Sequence, residues 1–203
     1  MILGLTGAFG GGKSTVLDYF RKHKWHSFDA DAACHAIYES GNPVLTDKVI
    51  TLFGKDAVSS DGKVNRQVIA QSAFKNPEKM QALTQTVYPL LNEELEKQIA
   101  RCRENRINGI FELPLLYEGS YQKFFDAVLA IWSDPELRCE RLKNRHYTRE
   151  DMLKRDARQL DPVLKLEYAD FAVVNNGTTE MLYAQLDELI AAFNLKKSNK
   201  III

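Results

Sequence analysis

The stretch LTGAFGGGKST, Leu5 to Thr15, decides how this 203-residue chain is read. Gly7-Ala8-Phe9-Gly10-Gly11-Gly12-Lys13-Ser14 fits the phosphate-loop pattern G-x-x-x-x-G-K-S/T in full. A strand-like run, Ile2–Thr6, precedes it, and an amphipathic helical pattern carrying Val16, Leu17, Tyr19 and Phe20 follows. Glycines let the backbone curl so that successive N–H groups face one anion, and the following helix turns its positive end toward the same charge. Gly10, Gly11, Gly12, Lys13, Ser14 and Thr15 are therefore the expected contacts to a nucleoside triphosphate. Lys13 would reach the β and γ phosphates, and the Ser14 hydroxyl would ligate Mg²⁺. Such a cradle does not name a reaction, so the acceptor must be sought elsewhere in the chain.

Bulk properties narrow the setting. Lys+Arg 27 balances Asp+Glu 27, so no global field draws the chain to nucleic acid or anionic lipid. Three scattered cysteines suggest neither a disulfide framework nor a zinc site. No run approaches the ~20 apolar residues of a membrane span. The expectation is a soluble, cytoplasmic protein without nucleic-acid, membrane or obligate protein partners.

Short apolar runs alternate with longer helical patterns, which predicts an α/β fold on a parallel sheet. Beyond Ile2–Thr6, the candidate strands are His26–Asp29, Gly109–Glu112, Ala127–Trp132 and Phe171–Val174. Nearly eighty helical-looking residues separate the second strand from the third. Within them Asn76-Pro77 reads as an N-cap and first helical position, followed by a stripe of Met80, Leu83, Val87, Leu90, Leu91, Leu95 and Ile99. Pro89 is expected to kink or split that helix.

Asp29 and Asp31, in SFDAD, stand two apart; in extended chain they share a face at the carboxyl end of a strand, beside the crevice where ligands bind. One carboxylate there would take a proton from an attacking hydroxyl. A helix cap is the competing role for Asp31. His35, one turn on, is a candidate substrate contact. Glu112 ends an apolar strand and suits a place near the metal or a structural one, and Leu113–Leu116, Leu115 among them, would line the crevice floor with Glu118 at its rim. The segment from Arg138 to Arg158 is rich in arginine; as a lid it would clamp the phosphoryl group and exclude water.

With these pieces in order, the chain resembles the dephospho-coenzyme A kinase family nearly end to end. The residues that carry the likeness are DADAACHAIYESGNPVLTDKVITLFG with its Gly-x-Pro and Phe-Gly landmarks, DGKVNRQVIAQSAFKNPEKMQAL with Asp-Gly-x-x-Asn-Arg and Phe-x-Asn-Pro, LPLLYE, RDARQL and KLEYADFAVVNNG. The resemblance implies ATP-dependent phosphorylation of the ribose 3′-hydroxyl of dephospho-CoA, the last step of CoA synthesis. It implies a P-loop kinase core with a five-stranded parallel sheet (residues 1–41, 106–137 and 166–195), a helical CoA-binding insertion (42–105) and a lid (138–165). Asp31 becomes the base, assisted by Lys13; Arg66, with Asp29, His35 and Leu115, helps hold the acceptor; Arg141 and Arg145 serve the lid and ATP; Asn176 lies near the adenine. The family commonly shows His-Pro where this chain has Tyr88-Pro89. Another small-molecule or nucleoside monophosphate kinase is the rival on the same scaffold, whereas a GTPase switch lacks its Asn-Lys-x-Asp stretch here.

Overall fold

The computed structural model describes residues 1–66, 68–69 and 76–198, with side chains through residue 193. Phe74 of the Phe-x-Asn-Pro landmark and residues 199–203 of the KKSNKIII tail lie outside the described residues.

β1 (Ile2–Gly7) is buried along its whole length, and β3 (Gly109–Glu112) is as well. Both are apolar without alternation, as a strand covered on two faces requires. With β2 (His26–Asp29), β4 (Ala127–Trp132) and β5 (Phe171–Val174) they form one sheet in the order β2-β3-β1-β4-β5. β1 pairs in parallel with β3 on one side, Leu5 opposite Glu112, and with β4 on the other, Leu5 opposite Leu129. The order therefore reverses at β1, and the crevice beyond its carboxyl end is where an open α/β sheet receives ligand. The opposite ends of the strands are fixed by carboxylates. Asp126 accepts from the Ile2 N–H at 2.7 Å, and Asp170 from the Val128 N–H at 2.8 Å.

The chain forms two compact units, Met1–Ser27 with the chain from Cys102 onward, and Phe28–Arg101. In the first, α1 (Lys13–Lys22) and the C-terminal helix (Thr179–Ser198) cover one face of the sheet through Val16, Leu17, Phe20, Leu182, Leu186 and Phe193. The second holds α2 (Ala30–Glu39), α3 (Pro43–Phe53) and most of the long α4 (Pro77–Glu104) around Leu45, Val49, Leu83 and Val87. It takes in α2 as well as the residues from 42 on, because Cys34, Ile37 and Tyr38 pack on that core.

α4 opens on Pro77, with Asn76 accepting from the Lys79 N–H at 3.2 Å, so that cap stands as predicted. Its stripe is buried at Leu83, Val87, Leu91, Leu95 and Ile99, while Met80 is exposed. The helix runs through Pro89 as one element, contrary to the expected split. Pro89 and Gln85 both lie on the exposed face, so the carbonyl that loses its amide partner opens to water and the interruption stays cheap.

Leu129 lies in the middle of β4 with no exposed surface. Replacing it with alanine should cost about 2–5 kcal/mol, the range for a buried leucine whose cavity collapses only partly. Urea unfolding of Leu129→Ala against the parent chain measures it.

Candidate active site

The phosphate loop runs from the end of β1 into α1. Gly12 takes φ +104° as the N-cap of α1, supplies no side-chain acceptor, and no acidic residue stands in the first turn. The helix thus presents its amide end to an anion with no carboxylate competing for it. A Cβ on Gly12 would lie 2.2 Å from Asn175 Nδ2, and one on Gly10 (φ +77°) would lie 2.9 Å from the Leu142 side chain. The glycines are needed for neighbours as much as for backbone angle.

Lys13 is 8% exposed and lies along the loop it serves, donating to the Gly7 carbonyl at 3.0 Å and the Ala8 carbonyl at 3.1 Å. Glu112 Oε1 lies 4.0 Å from its Nζ, so the carboxylate at the end of β3 is a charge partner of the loop lysine. Ser14 is exposed, and its hydroxyl makes no hydrogen bond among the described residues; Thr15 is half-buried. A hydroxyl oxygen open at the head of a helix suits a hard, oxygen-seeking cation such as Mg²⁺, which keeps most of its ligands as phosphate oxygens and water. No cluster of three His, Cys, Asp or Glu able to hold a metal occurs among the described residues.

Around this loop the arginine-rich segment folds as α5 (Pro135–Lys143), α6 (Arg149–Asp156) and α7 (Pro162–Tyr168). Cys139, Leu142 and Met152 form a small core with Phe9 and Tyr147, so the loop's own phenylalanine packs with this arginine-rich segment. Arg138 is buried, donates to the Phe9 carbonyl at 3.1 Å and pairs with Asp156 through both carboxylate oxygens at 3.0 and 2.9 Å. Arg141 donates to Ser133 Oγ at 2.8 Å and to the Asn175 carbonyl at 2.9 Å. Asn175 in turn donates from its side chain to the Gly11 carbonyl at 3.0 Å. Arg141 therefore reaches the loop through Asn175, a link that sequence spacing does not reveal. Arg145 is exposed, with no hydrogen bond or ion pair from its guanidinium among the described residues. Asn176, also exposed, accepts from the Asp134 N–H at 2.9 Å, fixing the start of α5.

Glu118 is an anchor as well as a rim residue. Its Oε1 accepts from the Leu160 N–H at 2.6 Å and from the fully buried Lys165 ammonium at 3.1 Å, which also donates to Pro114 O and Gln159 Oε1. Burial pushes Lys165 below the usual lysine range, and the Glu118 carboxylate opposes that shift. Half-buried Leu115 lies in the same loop, between Pro114 and Glu118.

In the second unit, β2 ends at Asp29 and α2 begins at Ala30, so the two aspartates are not both in extended chain. Asp29 is the N-cap, accepting from the Ala32 N–H at 3.0 Å. The capping role expected of Asp31 thus belongs to Asp29, and Asp31, exposed in the first turn, keeps a carboxylate with no hydrogen bond or ion pair among the described residues. Asp31, Cys34 and Tyr38 share a face of α2. Burial first, then the Asp31 charge, raises the Cys34 thiol to about 11, while Arg66 pulls it the other way. The Arg66 guanidinium also stands 5.8 Å from the centre of the Tyr38 ring. Asp31, Cys34, Tyr38 and Arg66 are therefore one cluster. His35 lies beside it but is engaged with Glu39 at 3.1 Å. On the opposite face of α2, Ala33, Ala36 and Ile37, with Phe28 of β2, line a separate cleft of about 410 Å³, bounded on α4 by Leu90, Glu93 and Lys97.

The family model for dephospho-CoA kinase matches residues 1–180. This chain belongs to the dephospho-CoA kinase family. The dephospho-CoA kinase of Lactobacillus johnsonii is 33% identical over 190 residues, 93% of this chain and 96% of that protein. That of Aquifex aeolicus is 33% identical over 187 residues, 92% of this chain and 94% of its own. Among solved structures, a Thermus thermophilus protein superposes with TM-score 0.76 at 28% identity, covering 95% of this chain and 97% of that one. A shikimate kinase from Acinetobacter baumannii, at TM-score 0.51 and 14% identity, shares the fold. No described helix is long and apolar enough to cross a membrane.

The cluster on α2 yields a chemical test. With its pKa near 11, only about one Cys34 thiol in a thousand is ionised at pH 8, and the thiolate is the nucleophile. Iodoacetamide should label Cys34 about a hundredfold more slowly than a free peptide cysteine, and Asp31→Asn should speed the labelling several-fold by removing a neighbouring negative charge. Peptide mass mapping reads both; an Asp31→Asn rate equal to the parent's would separate the two side chains.

Proposed function

We propose that this chain transfers the γ-phosphoryl group of ATP to the ribose 3′-hydroxyl of dephospho-CoA, giving CoA and ADP, the closing step of CoA synthesis. The family match over residues 1–180 carries the reading. The phosphate loop supports it, since Gly10, Gly11, Gly12, Lys13, Ser14 and Thr15 supply the amides, ammonium and hydroxyls a nucleoside triphosphate needs. Arg141, Arg145 and Asn176 complete the ATP side. Asp29, His35, Arg66 and Leu115 serve the acceptor, in a helical subdomain assigned to residues 42–105, with residues 138–165 as lid.

Asp31 acts as the base. Its carboxylate accepts the ribose hydroxyl proton as that oxygen attacks phosphorus, the role for which a positioned carboxylate free of capping duty is suited. Lys13 exchanges its bonds to the Gly7 and Ala8 carbonyls for phosphate oxygens and neutralises charge that builds toward the leaving ADP. When bound with the nucleotide, Mg²⁺ held through Ser14 spreads the charge of the β and γ oxygens. The cytoplasm is the compartment this reading implies.

The test is an acceptor panel. Dephospho-CoA should be phosphorylated far faster than AMP, gluconate or shikimate, with the new phosphate located on the 3′ oxygen by NMR; turnover of another acceptor in preference would favour the rival kinase reading. Asp31→Asn should leave ATP affinity nearly intact and lower kcat by about 10²–10⁴, the usual contribution of a positioned base. Lys13→Ala should weaken nucleotide binding and rate together, which calorimetry and initial rates resolve.

A further inference from the structure

The side chain that holds Gly11 is itself held on every side. Asn175 follows the last residue of β5, is 8% exposed, and donates from Nδ2 to the Gly11 carbonyl at 3.0 Å. Its backbone N–H donates to Trp132 O at 2.8 Å, and its carbonyl accepts from Ser133 Oγ at 2.8 Å and from Arg141 at 2.9 Å. The residue before it, Val174, is gripped by Gln185, whose side chain accepts from the Val174 N–H and donates to the Val174 carbonyl, both at 2.9 Å. Asn175 is therefore a side chain on a rigid mount. It cannot withdraw from the phosphate loop without breaking several of these bonds.

An asparagine offers a donor at one end of its amide and an acceptor at the other. Both are used: Nδ2 on Gly11, and Oδ1 accepting from Arg141 at 3.4 Å. A cation drawing on Oδ1 strengthens the N–H that faces the loop. The Gly11 carbonyl and the Gly12 N–H belong to one planar peptide unit, so a hydrogen bond received at its oxygen makes its N–H the better donor. That N–H makes no hydrogen bond among the described residues, and backbone amides are what such a loop offers to phosphate.

We propose that Asn175 is a positioning residue for phosphoryl transfer, presetting the Gly11–Gly12 peptide for the phosphate chain of the nucleotide. It acts through Gly11 rather than on the reacting atoms. Lys13 also ties the loop, at the Gly7 and Ala8 carbonyls, but its ammonium leaves them to meet phosphate. The asparagine is the tie that persists with nucleotide bound. A donor fixed in this way needs no reorganisation when the β–γ bond breaks and negative charge gathers on the departing diphosphate. The inference rests on the nucleotide half of the kinase reading above, and not on which alcohol accepts the phosphoryl group.

Asn175→Leu keeps the size of the side chain and removes its donor without adding charge, while the backbone bonds to Trp132, Ser133 and Arg141 remain available. Calorimetry on this variant and the parent compares ADP, inorganic tripolyphosphate and adenosine, the last by competition with ADP. ADP and tripolyphosphate should each bind at least about tenfold more weakly, with adenosine changed by less than about twofold. On whichever acceptor turns over, kcat should fall by about 10–10². A purely structural role would lower the melting temperature and weaken adenosine as much as ADP. Should the leucine variant not fold, Asn175→Ala, which is smaller and admits a water to the Gly11 carbonyl, should show the same split at about threefold or more. ADP and tripolyphosphate affinities within about twofold of the parent, or equal losses on adenosine and ADP, overturn the proposal. A failed acceptor panel leaves these binding measurements untouched, so the two readings fail separately.

Discussion

Asn175 donates to the carbonyl of Gly11 from 164 residues away, and the shape of the phosphate loop depends on that hydrogen bond. A glycine-rich loop has few side chains with which to hold itself: Lys13 ties its first residues, and Asn175 holds Gly11 from outside. Asn175 does so at the end of β5, where its own amide bonds to Trp132 O and its carbonyl accepts from Ser133 and Arg141. The missing Cβ of Gly12 makes room for the asparagine, whose Nδ2 would lie 2.2 Å from it. Strands β1, β4 and β5 thus converge on one small polar joint beneath the nucleotide site.

The basic segment looks on paper like a single patch of charge, yet its members do different things. Arg138 and Asp156 fasten α5 to α6 in a buried two-point pair. Lys165 and Glu118 do the same between α7 and the loop after β3. Removing one partner of such a pair would leave a buried charge uncompensated, at a large cost in stability.

Much of this was legible in advance, for identifiable reasons. Strands β2 to β5 have the bounds expected of them and β1 extends one residue past its expected end; in β1, β3 and β4, burial along the strand shows as a nearly unbroken apolar run. The phosphate loop was plain from spacing alone. What spacing could not give were bonds between residues distant in sequence: Asn175 to Gly11, Lys165 to Glu118, Arg155 on Phe9. The cap was open on sequence, where it was only the competing role for Asp31: Asp29 and Asp31 suit it equally well by residue type, and the position where β2 yields to α2 gives it to Asp29. Of the two outcomes expected at Pro89, a kink or a split, the split does not occur, because the cost of a missing helical bond depends on whether the freed carbonyl meets water, which one residue letter does not tell.

The folded-back posture of Lys13 also sets a threshold for what may enter. An ammonium bonded to two carbonyls and flanked by Glu112 is a poor lure for small counter-ions. Chloride or a lone carboxylate would have to displace neutral partners that already satisfy it, in return for a single weak attraction. A polyphosphate chain brings several formal charges at fixed spacing, so that an ionised acceptor meets the ionised donor in place of a neutral carbonyl. Selectivity for high charge density is thus written into the resting lysine, before any base or sugar is read.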